Sequence, residues 1–205
     1  MIHSSSRPSV LEGAAEVKGI LHCMQKAKTF ARLPCNLNSL GNRLMNPLMT
    51  LEPNVLRVFV DGAFSFRQRT AGCGGVLRRP DGSIHESFYC RVNCYDSFTA
   101  ELWGCFWGLR RAWEEGFRNI VLLSDSQELI NRLKAEGSEM HEDQFLLFQV
   151  KQYLQRSWEV DLRWTERELN VEVDLLARES LNVGFGLQIL SAETSARFFK
   201  EKGVT

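Results

Sequence analysis

Four acidic residues stand where an acid on an ordinary protein surface would not be expected. Asp61 and Asp125 each follow an apolar run that is typical of a buried strand. Glu101 lies near the start of a largely apolar helix, and Asp174 lies among apolar residues in the last predicted helix. Burying one carboxylate is costly unless it is paired or binds a metal, and four converging carboxylates repel one another unless cations lie between them. Because oxygen-only ligands favour Mg²⁺ or Mn²⁺ over zinc, these acids indicate a divalent-metal site.

The first half of the predicted fold consists of strands. Residues 55–60 are apolar and largely β-branched apart from Arg57, which predicts a buried central strand that stops at Asp61-Gly62. The runs 74–78 and 83–92 flank the turn Arg79-Pro80-Asp81-Gly82, which is typical of an antiparallel hairpin. We therefore expect three consecutive antiparallel strands.

The second half alternates helices with strands. The pattern predicts, in order, a helix from Thr99 to about Gly116, a strand over 119–123, a helix to Gly137, a helix over about 143–156, a strand over 158–164 and a last helix from about Asn170. The order βββαβααβα predicts an α/β fold with a five-stranded mixed sheet, three antiparallel strands followed by parallel additions, flanked by helices. Strand ends of such sheets are where ligands collect.

The composition and length fit one ordinary domain. The chain has 205 residues, of which 44% are hydrophobic and 24% charged, and this excludes collagen-like, coiled-coil and wholly disordered proteins. We expect a poorly ordered arm over 1–53, a domain over 54–181 and a C-terminal extension over 182–205. No apolar run approaches the roughly 18 residues of a membrane span and no secretory signal is present, so we expect a soluble intracellular monomer without a membrane partner.

The N-terminal arm is basic, and the cysteines form no metal motif. Residues 1–50 carry six Lys or Arg against two acids, whereas the whole chain has 25 of each. This segment is open to three interpretations: attraction to a polyanion, weak organelle targeting, or solvated charge in a nuclear or cytoplasmic protein. The six cysteines include no C-x-x-C pair and no His at zinc-finger spacing, which predicts reduced thiols.

Five motifs surround the four acids and the second strand. They are Val60-Asp61-Gly62-Ala63, Ala71-Gly72-Cys73-Gly74-Gly75-Val76-Leu77-Arg78, Ala100-Glu101-Leu102-Trp103, Ser124-Asp125-Ser126, and Arg167-Glu168-Leu169-Asn170-Val171-Glu172-Val173-Asp174-Leu175-Leu176-Ala177. In this order and strand–helix context they resemble the ribonuclease H type 1 family. The resemblance is strongest to the plant branch related to the ribonuclease H domain of non-LTR retrotransposon reverse transcriptases, and it covers roughly residues 55–180.

The resemblance implies both a fold and a reaction. It implies a ribonuclease H-like fold in which Asp61, Glu101, Asp125 and Asp174 are the catalytic residues and hold two Mg²⁺ ions, with Mn²⁺ as an alternative. It implies an endonuclease that hydrolyses the RNA strand of RNA–DNA hybrids. In that mechanism one metal delivers a hydroxide-like water to phosphorus and the other stabilises the departing 3′ oxygen. The products carry 5′-phosphate and 3′-hydroxyl ends.

Contacts to the nucleic acid are also implied by the resemblance. The expected contact residues are Gly62, Ser97, Ser126 and Asn170, and hybrids are distinguished by the 2′-hydroxyl groups of the minor groove. The chain departs from the family pattern at Ser97 and Phe98, where asparagines often stand, and at Trp164, where relatives usually show His. These departures support an alternative function: a nucleic-acid-binding module, or a retrotransposon-derived remnant with little or no catalysis.

Three of the acids also have an ordinary structural role open to them. Asp61 or Asp125 would be a turn-forming residue or a helix N-cap. Glu101 would be a first-turn acid favoured by the helix dipole, with Thr99 as the N-cap.

Three other features also have alternatives. Asp174 would pair with Arg178 four residues on, while Asn170 caps the helix. The segment Gly72-Cys73-Gly74-Gly75 precedes a strand rather than a helix, which favours close backbone approach over phosphate binding. Four tryptophans are expected in the core, whereas Trp164 is open to both packing and base stacking.

Overall fold

The computed structural model describes residues 54–135 and 144–204, and the predicted arm over 1–53 lies outside them. The strands are β1 (Leu56–Ser65), β2 (Thr70–Arg78), β3 (Ile84–Val92), β4 (Asn119–Ser124), β5 (Glu159–Trp164) and β6 (Gly186–Ser191). The α-helices are α1 (Ser97–Glu114), α2 (Gln127–Lys134), α3 (Gln144–Leu154), α4 (Val171–Glu179) and α5 (Ala192–Glu201). Short 3₁₀ helices at Arg167–Leu169 and Ser180–Asn182 flank α4.

The strands form one mixed sheet in the order β5-β4-β1-β2-β3-β6. β1, β2 and β3 are antiparallel neighbours, and the turn with Gly82 at φ 87° joins β2 to β3, as predicted. β4 is parallel to β1, and β5 is parallel to β4. The chain therefore runs in the same direction in β1, β4 and β5, and Asp125 follows β4 at the end of the sheet towards which β1 continues through Asp61.

The prediction that the first strand stops at Asp61 is wrong. β1 continues to Ser65, and Asp61 pairs with Gly74 of β2. The Asp-Gly pair suggested a turn, but antiparallel pairing with β2 satisfies the backbone polar groups of this segment and keeps it extended. Pairing of β1 with β4 ends at Phe59↔Leu123. Asp61 therefore lies just beyond the last β1–β4 pair, close to where the chain leaves β4.

The sheet has six strands rather than the predicted five. Residues 186–191, expected to belong to a C-terminal extension, form β6 and pair antiparallel with β3. β6 is an edge strand with mostly exposed side chains, so its sequence contains no buried apolar run that would reveal it. Helix α5 then packs on β3, where Phe198 stacks on Tyr89 with ring centroids 6.5 Å apart and Phe199 is buried.

Helices cover both faces of the sheet, and apolar clusters form between the helices and each face. On one face, Val58 and Val60 of β1 pack with Leu102 and Leu109 of α1 and with apolar residues of α2 and α3. On the other face, the core is formed by Phe59, Val76, Val173, Leu176 and Phe199, among others. Burying each such side chain contributes about 1.5–3 kcal/mol relative to leaving it exposed.

The glycine-rich segment lies inside β2, not in a phosphate-binding loop. A Cβ atom at Gly74 would lie 2.7 Å from the backbone nitrogen of Ala177, so helix α4 crosses β2 at a point where a side chain would not fit. The prediction of close backbone approach is therefore confirmed. This contact fixes α4, which carries Asp174, against the centre of the sheet.

The tryptophans and cysteines largely occupy the core. Trp103, Trp107 and Trp158 pack against buried apolar residues, and Trp113 meets Trp158 edge to face with centroids 5.3 Å apart. The described cysteines, Cys73, Cys90, Cys94 and Cys105, are all buried. Trp164, by contrast, is exposed. Within residues 54–135 and 144–204 there is no helix with the length and apolarity that a bilayer span requires.

Candidate metal-binding site

The structure brings three of the four predicted acids together. Asp61, Glu101 and Asp125 each present an oxygen within 4.8 Å of the other two. Asp61 is only 5% exposed. Asp174 lines the same open cleft, which has a volume of about 440 Å³, but it is not part of the three-acid cluster.

Close backbone contact between β1 and α1 positions Asp61 beside Glu101. A Cβ atom at Gly62 would overlap the backbone nitrogen of Glu101, so only glycine allows this approach. Asp96 caps α1 by accepting a hydrogen bond from the Thr99 backbone nitrogen at 2.8 Å. The helix thus begins at Ser97, Thr99 is not the N-cap, and Glu101 lies beyond the first turn. The structural roles suggested for Asp61 in a turn and for Glu101 in a first turn are therefore wrong.

Asp125 lies between β4 and α2 without capping the helix. The N-cap is Ser126, whose Oγ accepts a hydrogen bond from the Leu129 backbone nitrogen at 3.3 Å. The Asp125 carboxylate is therefore not committed to the helix and faces the cleft. The alternative that made Asp125 an N-cap is wrong.

Asn170 has a different place from the one predicted. Its side chain is fully buried, whereas a contact to nucleic acid needs an exposed group. The side-chain nitrogen donates to the backbone oxygen of Val60 at 3.3 Å and to Asp125 Oδ1 at 3.4 Å. Asn170 therefore joins β1 to Asp125 from the start of α4, and its burial was not predictable from local sequence pattern. The other predicted contacts, Gly62, Ser97 and Ser126, line the cleft.

Burial and mutual repulsion disturb the ionisation of the cluster. Desolvation raises the pKa of Glu101, and the charges of Asp61 and Asp125 raise it further. Desolvation and the charge of Asp125 raise the pKa of Asp61 above its usual range. A hydrogen bond between the two carboxyl groups lowers the pKa of Asp61 and raises that of Glu101. Without a metal, burial therefore favours the protonated form of both carboxyl groups, and most strongly that of Glu101.

The donor set fits a divalent cation. Glu101 Oε2 is buried and has no hydrogen-bond partner within the described residues. An unpaired buried carboxylate oxygen is costly, and a cation beside it would remove that cost. All ligands offered by Asp61, Glu101 and Asp125 are carboxylate oxygens, which hard cations such as Mg²⁺ prefer.

Two arginines reach the cleft from its rim. Arg178 forms an ion pair with Asp174 at 3.0 Å, and Arg167 lies 3.7 Å from Asp125. The predicted Asp174–Arg178 pair is thus confirmed, although the Asn170 side chain makes no capping hydrogen bond. The side chains of Arg178 and Arg167 are 64% and 75% exposed, and pairs this exposed contribute only about 0–1 kcal/mol. They offset the acidic charge weakly.

Sequence reasoning missed part of the cleft lining. Ala63 and Phe64 line it because β1 continues past Asp61, where a turn was expected. Arg167 also lines it, and the available signal was its place in the last of the five sequence motifs.

A family model and a curated relative match the chain. The family model described as "Reverse transcriptase-like" matches residues 59–180, which include all four acids. The Arabidopsis thaliana protein named "Putative ribonuclease H protein At1g65750" is 32% identical over 131 residues, or 64% of this chain. The matched region spans only 21% of that relative's length.

Solved ribonuclease H structures share the fold. RNase H1 from the archaeon Halobacterium salinarum superposes with a TM-score of 0.58 at 24% identity, covering 62% of this chain and 97% of that one. LC11-RNase H1 in complex with an RNA/DNA hybrid gives a TM-score of 0.57 at 14% identity, covering 62% and 96%. The mixed α/β fold predicted from the sequence is therefore confirmed, with one more strand. The chain belongs to the reverse transcriptase-like family and has the ribonuclease H fold.

Proposed function

We propose that the chain is a divalent-metal-dependent endonuclease that hydrolyses the RNA strand of RNA–DNA hybrids. The observation that carries the proposal is the cluster of Asp61, Glu101 and Asp125 around the unpaired buried oxygen of Glu101. The similarity to LC11-RNase H1, which has been solved with an RNA/DNA hybrid, supports the choice of substrate.

In this proposal the acidic residues of the cleft bind the metal ions. Asp61, Glu101 and Asp125 would hold metal, and Asp174 would complete the set for the two Mg²⁺ ions that we predict. Bound Mg²⁺ would supply Lewis-acid stabilisation of the phosphate oxygens and an activated water. Because ligating carboxylates must be deprotonated, Glu101 gives up its proton when metal binds. The open cleft leaves room for a polymeric substrate.

Asn170 would keep Asp125 in place. Its hydrogen bonds to Val60 and Asp125 tie the carboxylate to the backbone of β1. A group that orients a metal ligand in this way commonly affects metal affinity or activity by about 10–100-fold. We therefore treat Asn170 as a positioning residue rather than as a contact to the substrate.

A second candidate is a hybrid-binding module without efficient catalysis. It is favoured by the two rim arginines, because Arg178 and Arg167 already place cations beside Asp174 and Asp125. In such a module the arginines would hold phosphate groups of the nucleic acid. Binding would then be tight and turnover slow.

A cleavage assay separates the two candidates. The full chain is incubated with an end-labelled RNA–DNA hybrid and Mg²⁺ or Mn²⁺, alongside Asp61→Asn. Glu115→Gln is the matched control, since Glu115 belongs to a different acid cluster at the end of α1. We expect cleavage of the RNA strand, a loss on the order of a thousandfold in Asp61→Asn, and no loss in the control.

Two results would contradict the proposal. One is the absence of cleavage with either ion, which together with tight hybrid binding would favour the second candidate. The other is cleavage by Asp61→Asn at the rate of the parent chain, which would point to a contaminating nuclease or to a different active site.

A further inference from the structure

Trp164 is a side chain beside the cleft that the proposed metal site leaves without a role. All five tryptophans fall within the described residues, and four of them are at least partly buried, whereas Trp164 is 46% exposed. A single exposed apolar side chain is common on protein surfaces and needs no special explanation. The surroundings of Trp164 are what distinguish it.

The indole ring of Trp164 is held in place rather than free. Its Nε1 donates a hydrogen bond to the backbone oxygen of Asp125 at 3.1 Å. Trp164 also ends β5, where it pairs in register with Ser124 of β4. The ring is therefore fixed directly next to an acid of the cleft while nearly half of the side chain meets solvent.

The guanidinium group of Arg167 lies beside the same acid, Asp125, that the Trp164 ring contacts. The guanidinium Nε of Arg167 lies 3.7 Å from Asp125 Oδ2, and this side chain is 75% exposed. Trp164 and Arg167 thus both contact Asp125, one at its backbone and the other at its carboxylate. A ring that offers a stacking surface beside a guanidinium that binds phosphate matches the two chemical parts of a nucleotide.

We propose that Trp164 and Arg167 form a nucleotide-docking element at the Asp125 side of the cleft. The indole stacks on a base or ribose of the substrate strand, and Arg167 contacts an adjacent phosphate. Cation binding at Asp125 weakens the hold of that carboxylate on Arg167 and leaves the guanidinium for the phosphate. This inference rests on the proposed function, because it takes the substrate to be a nucleic acid strand in the cleft.

Hybrid binding by tryptophan variants tests the docking element. The dissociation constant for a labelled RNA–DNA hybrid is measured by fluorescence anisotropy in Mg²⁺, with Glu101→Gln in every protein to prevent turnover. Trp164→Ala and Trp164→Phe are compared with Phe145→Ala, which removes an exposed aromatic ring of α3 that does not line the cleft. Thermal unfolding confirms that each variant folds.

We expect Trp164→Ala to weaken binding on the order of tenfold, the effect of losing one stacked base. Trp164→Phe keeps a stacking surface and should stay within about threefold of the parent, and Phe145→Ala should match the parent. Arg167→Ala should reduce the slope of the logarithm of the binding constant against the logarithm of salt concentration by about one, the contribution of one phosphate contact.

The outcomes separate this inference from the proposed function. If Trp164→Ala binds as tightly as the parent while the unsubstituted chain cleaves the hybrid, only the docking element is overturned. If Trp164→Ala and Trp164→Phe weaken hybrid binding equally, the docking element is also overturned, because the indole would then act through its hydrogen bond to Asp125. If the parent binds no hybrid, and the unsubstituted chain neither cleaves it nor gains thermal stability from Mg²⁺, both proposals fail.

Discussion

Two acid clusters in the described residues have the proximity that a metal site needs, yet their charges are balanced differently. One is formed by Asp61, Glu101 and Asp125, and the other by His85, Glu86 and Glu115. In the second cluster Arg111 donates to both carboxylate oxygens of Glu86, at 2.8 and 2.9 Å, and to Glu115 at 2.6 Å. His85 adds a contact to Glu115 at 3.1 Å.

Proximity of acidic side chains is not enough to indicate a metal-binding site. Arg111 is only 12% exposed, and its hydrogen bonds to Glu86 raise its own pKa, so the second cluster contains its own cation. In the first cluster burial raises the pKa of Glu101, and one of the Glu101 oxygens has no hydrogen-bond partner in the part of the chain that the structure describes. Among the described residues no buried cation balances the first cluster, and for this reason we propose that it binds an external one.

The largest effect on stability is expected where the internal cation is removed. Arg111→Met leaves the buried carboxylate of Glu86 without compensation and should lower the free energy of unfolding by about 3–5 kcal/mol. Urea denaturation measures the change. Arg110→Met is the matched control, because the Arg110–Glu114 pair is exposed and contributes at most about 1 kcal/mol. Equal effects of the two substitutions would contradict the comparison.

In the metal-free candidate site, a substitution is expected to raise the free energy of unfolding rather than lower it. Glu101→Gln replaces a carboxyl group whose protonated form is favoured by burial with a neutral amide of similar shape. In EDTA at pH 7.5 it should raise the free energy of unfolding by about 2 kcal/mol, because its raised pKa makes the native acid costly. Urea denaturation again gives the value. A loss of stability would show that the carboxylate is already compensated by the chain.

The pH dependence of metal-free stability should follow the same acids. The folded-state pKa values of Asp61 and Glu101 are raised, so the folded chain holds more protons than the unfolded chain above the ordinary carboxyl pKa of about 4. Their contribution therefore makes stability fall as pH rises from that value through the raised folded values. Unfolding in EDTA from pH 5 to 8 should show a steeper fall for the parent than for Asp61→Asn. Identical slopes would contradict the raised pKa values.

The smallest effect is expected at the rim. Arg178→Ala breaks the pair with Asp174, but the arginine is exposed and the pair is screened by solvent, so stability should change by less than about 1 kcal/mol. Urea denaturation of the metal-free chain measures it. A loss above about 2 kcal/mol would mean that Arg178 compensates the buried acids as Arg111 does, and the contrast between the clusters would disappear.

The convergence of three of the four predicted acids was predictable because it follows from local pattern and topology. Asp61 and Asp125 come after apolar runs that pair as parallel neighbours, and this pairing brings the residues that follow the two runs to the same end of the sheet. Glu101 follows a recognisable helix start. These relations need only the order of the elements, which the hydrophobic periodicity supplies.

What the sequence did not reveal depends on contacts between distant residues. Asn170 is buried because α4 packs on β1, and its hydrogen-bond partner Val60 lies 110 residues earlier in the sequence. The compensation of Glu86 by Arg111 requires β3 and α1 to pack together. Strand β6 has too few buried apolar residues to show a pattern. In each case a tertiary neighbour, not a local preference, decides the outcome.

We propose that a divalent cation stabilises the cluster of Asp61, Glu101 and Asp125, and a magnesium titration followed by thermal unfolding tests this proposal most directly. The parent chain is compared with Asp125→Asn and with Glu115→Gln. We predict that Mg²⁺ stabilises the parent and Glu115→Gln equally, by about 2.7 kcal/mol at a hundred times the dissociation constant, and does not stabilise Asp125→Asn. No stabilisation of the parent, or stabilisation lost in Glu115→Gln and kept in Asp125→Asn, would contradict the claim.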